Sequence, residues 1–116
     1  MNRGDLVIVN FDPIEGSDAN KVRPAIIVSN DAANQSAAQT GRGVITVVPV
    51  TKSTVRIYPF QVLLLSSETG LRNDSKAQAE QIRAVSVNRI GDTVGRVSQQ
   101  TMKQLEKAIL LHLDLQ

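Results

Sequence analysis

Apolar positions along the chain fall mostly into short runs rich in β-branched residues, separated by polar stretches holding Gly, Pro, Asn and Ser. Leu6-Val7-Ile8-Val9-Asn10-Phe11 reads as a strand that opens after Gly4 and is stopped by Asp12-Pro13. The polar segment from Glu15 to Val22 reads as a loop. Pro24 to Ser29 is a second buried strand, with Pro24 expected as its first residue, where a missing N–H does no harm. Asp31 to Gln39, rich in Ala and Gln, predicts a short helix or helical loop, and Gly41-Arg42-Gly43 a turn. Val44 to Val50 is the third strand, and Pro49 inside it points to an edge or a bulge. Thr51 to Pro59 is a polar, basic loop, Phe60 to Leu65 a fourth strand, and Ser66 to Ser75 a turning segment. Lys76 to Arg83 fits strand alternation and helix propensity alike. Thr93 to Val97 reads as a last short strand.

From Gln99 to about Leu113 the spacing changes to that of a helix, with Ser98 as its N-cap. Met102, Leu105, Ala108, Ile109, His112 and Leu113 share one face, and Leu110 and Leu111 widen the apolar surface. Such breadth predicts a second surface to cover, hence a homodimer. Five or six strands closed by one helix give a small α+β, mostly β, barrel-like domain over residues 1–116.

Composition removes much of the usual chemistry. The 116 residues contain no Cys and a single His, so disulfides, thiolate nucleophiles, Cys-based zinc sites and paired-His catalysis are excluded. Scattered acids form no tight Asp-x-Asp group for magnesium. No apolar run approaches the ~20 residues that span a bilayer, and the start of the chain has no signal-peptide pattern, so a cytoplasmic location is expected. The formal charge of +2 permits a polyanionic partner without requiring one.

Three places can carry the remaining chemistry. Arg23, held extended by Pro24, can project from the sheet rim, although position alone favours a solvated charge at a strand end. Thr51-Lys52-Ser53-Thr54, at the exit of the third strand, offers hydroxyls and an ammonium to a phosphate; an ordinary polar turn is the plainer reading. Tyr58, beside Arg56, can stack an unpaired base or sit half-buried with its hydroxyl in water. His112 reads as a partly buried packing residue.

Taken in order, several segments resemble the MazF/PemK toxins of bacterial toxin–antitoxin systems. They are Arg3-Gly4-Asp5-Leu6, Phe11-Asp12-Pro13, Glu15-Gly16-Ser17, the run from Arg23-Pro24 to Asn30-Asp31, Val48-Pro49-Val50-Thr51, Glu80-Gln81-Ile82-Arg83 and Gly95-Arg96-Val97-Ser98. The resemblance implies a small, twisted antiparallel SH3-like barrel with a C-terminal helix, acting as a homodimer. It also implies a sequence-specific endoribonuclease that cuts single-stranded RNA without a metal or other cofactor. The products would be a 2′,3′-cyclic phosphate and a 5′-hydroxyl, and a cognate antitoxin would block the RNA groove with an acidic tail. Arg23 and Thr51 match the family's catalytic arginine and threonine. Ser17, Asp18 and Asn20 fall on the first loop, and Lys52, Ser53 and Arg56 on the second. Tyr58 and Gln81 stand where relatives contact bases. Some relatives use a His in the first loop and an Arg and Asp on the fifth strand. Ser17, Gln78 and Glu80 occupy those positions here, leaving Glu80 as a residual base or a base-reading acceptor. Two other readings remain: a gyrase-directed toxin of the related CcdB group, whose Trp-Gly-Ile ending this chain lacks, and a barrel that binds RNA without cutting it.

Overall fold

A computed structural model describes residues 1–11 and 22–115 of the chain. Its elements run β1 (Asp5–Asn10), β2 (Val22–Ile27), α1 (Asp31–Thr40), β3 (Val44–Thr51), β4 (Gln61–Leu64), α2 (Ser66–Thr69), β5 (Ser75–Gln78), β6 (Arg83–Ser86), β7 (Ile90–Arg96) and α3 (Gln99–Leu113). The strands make one seven-stranded sheet in the order β4-β5-β3-β2-β1-β7, with β6 paired to β3 off that path. Every pairing is antiparallel.

Apolar side chains on both faces explain why β1 and β3 are continuous apolar runs rather than alternating ones. On one face Leu6, Ile26, Val48, Val50, Leu64 and Ala77 pack beneath Met102, Leu105 and Ala108 of α3. On the other, Val7, Val9, Ala25, Ile27, Ile45 and Val47 pack with Ala37 of α1 and Val85 of β6. Both longer helices begin as their sequences dictate: Asn30 caps α1 through its side chain onto the Ala33 N–H, and Ser98 caps α3 onto the Thr101 N–H. Among the described residues, no helix is long and apolar enough to cross a membrane.

The path of strands does not close edge to edge. Instead α2, carried on the end of β4, packs against β7, where Gly95 lies so close to the Thr69 carbonyl that a Cβ would overlap it. That contact brings the two ends of the sheet together and closes the barrel.

Three sequence expectations are corrected. Pro24 is the third residue of β2, not the first. Pro49 lies within a central strand, at a break in the ladder on its outer side, so locally it sits on an edge, as expected. It is tolerated because β6 pairs with β3 only over Val44–Val47 and β5 only over Val50–Thr51, so the missing N–H falls in the gap between them. The fifth strand ends at Gln78, and a 3-10 turn at Ala79–Gln81 carries Glu80 and Gln81 where a strand was expected. The short strand β6 then adds a pairing the sequence pattern did not reveal, because Arg83 and Ala84 are exposed and only Val85 is buried. His112, finally, is exposed at the end of α3, its ring tilted against Phe60 at 6.4 Å.

Candidate active site and its groove

The β2–β3 ladder pairs Ile27 with Val47, Ile26 with Val48 and Ala25 with Pro49, and there it stops. Pro24 and Pro49 have no N–H to extend it, and β3 turns its other edge to β5, pairing Val50 with Ala77 and Thr51 with Lys76. Continued by the same register, the next positions set Pro24 against Val50 and Arg23 against Thr51. Arg23 and Thr51 thus stand at the two strand ends that flank this opening.

A groove of about 710 Å³ occupies that opening, a size within the usual range for ligand sites. Arg23, Thr51 and Lys52 line it, together with Arg72, Asn73 and Ser75. Ile8, Pro24, Val50 and Leu71 supply apolar lining. Among the described lining residues there is no carboxylate and no aromatic ring. Arg23, Lys52 and Arg72 form none of the ion pairs of the described residues, which join Arg3 to Glu106 and Asp5 to Arg96 and the N-terminus. Guanidinium and ammonium groups outside those ion pairs, around a groove with no carboxylate among its described lining residues, suit an anion. The Thr51 hydroxyl accepts the Ser53 N–H at 3.4 Å, which leaves its own proton to give to a ligand.

A second cluster adjoins the groove through the Thr51–Lys76 pair. Lys76 is 8% exposed, and its ammonium donates to the Arg56 carbonyl at 2.7 Å. Gln61 accepts the Tyr58 N–H at 3.1 Å, and its own N–H donates to the Tyr58 carbonyl at 2.8 Å. From its Nε2 it donates to Glu80 Oε2 at 2.7 Å. These bonds hold the loop between β3 and β4 over β5. On that loop the Tyr58 ring lies parallel to Phe60 at 5.4 Å, with the Arg56 guanidinium 4.8 Å from its centroid. Glu80 Oε1 and Gln78 Oε1 are buried and make no hydrogen bond.

The structure therefore gathers Arg23, Thr51 and Lys52 in the groove, and Arg56, Tyr58 and Glu80 in the neighbouring cluster. Ser53 follows on the loop and touches Thr51 through its N–H, while Gln81 is exposed on the turn beside Glu80. Ser17, Asp18 and Asn20 lie outside the described residues. Sequence reasoning passed over Arg72, Gln61 and Lys76. Arg72 sits in a segment that reads only as a turn, and Lys76 in one whose strand character was undecided, so nothing local marked either one.

A model of the family described as the PemK-like, MazF-like toxin of type II toxin–antitoxin systems matches residues 2–113. Endoribonuclease MazF9 of Mycobacterium tuberculosis is 55% identical over 115 residues, covering 99% of this chain and 98% of the relative. Endoribonuclease MazF of Staphylococcus saprophyticus is 31% identical over 121 residues, covering 99% of this chain and 92% of that one. Among solved structures, an endoribonuclease in complex with its cognate antitoxin from a mycobacterial species superposes with a TM-score of 0.77 at 25% identity, covering 100% of this chain and 97% of the other. A MazE–MazF complex from Deinococcus radiodurans superposes at 0.78 and 24% identity, with the same coverage, and supports the fold alone.

Proposed function

The chain belongs to the PemK-like, MazF-like toxins of type II toxin–antitoxin systems and is an endoribonuclease; we propose that it cuts single-stranded RNA at the groove between Arg23 and Thr51, without a metal ion. The observation that carries this reading is that Arg23 and Thr51 line one cationic groove with no carboxylate among its described lining residues. RNA brings its own nucleophile. The ribose 2′-oxygen attacks the adjacent phosphorus, the bond from phosphorus to the 5′-oxygen breaks, and the products are a 2′,3′-cyclic phosphate and a 5′-hydroxyl. The protein then has to hold sugar and phosphate in line and stabilise the charge that builds on the phosphorane. Arg23 supplies a fixed fork of donors for two phosphate oxygens. A guanidinium offers donors and no acceptor, so its role is charge stabilisation. Thr51 adds one neutral donor to the same oxygens, and Lys52 adds a point charge at the rim.

Base selection falls to the adjoining cluster, with Tyr58 as a stacking face and Arg56, Ser53 and Gln81 as polar contacts. Glu80 acts there as a base-reading acceptor. One carboxylate oxygen is taken by Gln61, and the other is buried without a hydrogen bond, an acceptor left for an exocyclic amino group once the loop above it is displaced. Ser17, Asp18 and Asn20 would complete the site from the first loop. A cognate antitoxin carrying an acidic segment fits the same cationic groove. Two copies of the chain would pair as a homodimer in the cytoplasm. The gyrase-directed reading and the purely RNA-binding one are not favoured, because relatives matched over nearly the whole chain are named endoribonucleases.

The test is a long RNA incubated with pure protein in EDTA, with the ends mapped. Cuts at one short motif, ending in cyclic phosphate and 5′-hydroxyl, are expected from the native chain and not from Arg23→Ala or Thr51→Ala. Undiminished cleavage by either variant overturns the assignment of that residue.

A further inference from the structure

Arg72 lines the groove that Arg23 and Thr51 also line, and it has no part in the chemistry derived above. Its segment is tied down on every side. Gly70, at φ 85°, ends α2 in the left-handed region, where a glycine is favoured. The Leu71 N–H donates to Thr69 Oγ1 at 3.2 Å. The Ser66 N–H donates to Asp74 Oδ1 at 2.8 Å, and the Ser75 hydroxyl to the Asn73 carbonyl at 3.0 Å. Thr69, at the base of the segment, is wedged against Gly95. The backbone around Arg72 is thereby fixed, while its guanidinium makes no ion pair among the described residues. A guanidinium on a fixed backbone, outside those ion pairs and beside a groove with no acid or aromatic ring among its described lining residues, suits a phosphate better than a base, which needs a stacking surface or a carboxylate acceptor.

Resting on the reading of this groove as the RNA site, we propose that Arg72 binds a backbone phosphate next to the one that is cut. The two arginines then grip successive phosphates. This sets the direction of the strand through the groove and draws the scissile linkage taut between them. Arg72 is a substrate-binding residue in this scheme, not a catalytic one, since it holds a phosphate that does not react.

Binding of a 2′-O-methyl RNA oligonucleotide, which lacks the attacking hydroxyl, measures this without cleavage. Affinity is followed against salt for the native chain and for Arg72→Gln, Arg23→Gln and Arg42→Gln. Arg72 is exposed, so its replacement leaves the packing alone. Arg42 is also exposed and sits in the turn before β3, at the other end of that strand from Thr51, and serves as the control. One lost phosphate contact on a single strand lowers the steepness of log K against log salt by ~0.7. That drop, with weaker binding to oligonucleotides of every sequence, is expected of Arg72→Gln and not of Arg42→Gln. An unchanged slope in Arg72→Gln, while Arg23→Gln lowers it, overturns the proposal and leaves the site reading intact. Unchanged slopes in both overturn the groove as the RNA site. A loss confined to one base sequence, at constant slope, also overturns the proposal, for Arg72 would then read a base.

Discussion

Thr51 accepts one hydrogen bond from its own loop and keeps one to give, and that asymmetry suits it to phosphate. Thr51→Val removes the donor at nearly constant volume. Loss of one preorganised donor of this kind typically costs ~10²–10³ in rate, so single-turnover cleavage by Thr51→Val should fall by that order while Thr51→Ser retains most activity. Arg23→Lys keeps the charge but loses the paired donors, and it should recover only a small part of what Arg23→Ala loses. Both sites lie at the rim of the sheet, outside its two apolar clusters. Urea midpoints of these variants should therefore stay near that of the native chain. Asn34 behaves in the opposite way. It is fully buried, donates to the Ser29 carbonyl at 3.0 Å and accepts the Ser29 hydroxyl at 2.5 Å. Asn34→Ala leaves those groups unpaired, and ~1–3 kcal/mol of stability should be lost in urea titrations with the cleavage motif unchanged.

At the scale of elements, the loop between β3 and β4 and the turn after α2 frame the site, and each is held by one residue of no evident chemistry. Lys76→Met keeps the buried aliphatic stem and removes the bond to the Arg56 carbonyl. Sequencing the cleavage ends should show a broader motif for this variant, with cuts still dependent on Thr51; an unchanged motif would mean that Lys76 does not hold the base-reading loop. Gly95→Ala drives a Cβ into the Thr69 carbonyl. Overpacking of this kind costs ~1–3 kcal/mol, and the melting temperature should fall by several degrees. Because α2 must move to relieve the overlap, Arg72 moves with it, and RNA affinity should fall as well. These contacts could not be read along the chain. Lys76 meets Thr51 through a ladder whose register spans 25 positions, and Gly95 meets Thr69 only because the barrel closes there.

For the whole molecule, the last turn of α3 runs past the core. Met102, Leu105 and Ala108 are buried, while Leu111 is 54% exposed and Leu115 63%. Sedimentation at micromolar concentration should give a dimer; a monomer there would remove the reason for expecting a second copy. What the sequence determined by itself is local: the places of the first four strands and the two longer helices, the N-cap at Ser98, the absence of thiol chemistry, and the ordered motifs that single out Arg23 and Thr51 as candidates. These are legible because alternation, helical spacing and capping act between near neighbours. What only the tertiary structure decided is which distant groups share a space: the splaying of β2 from β3 at two prolines, the second arginine lining the groove, and the buried lysine beneath the loop. Strand register and barrel closure are set by the packing of both sheet faces at once, a property of the folded chain that no short window of residues contains.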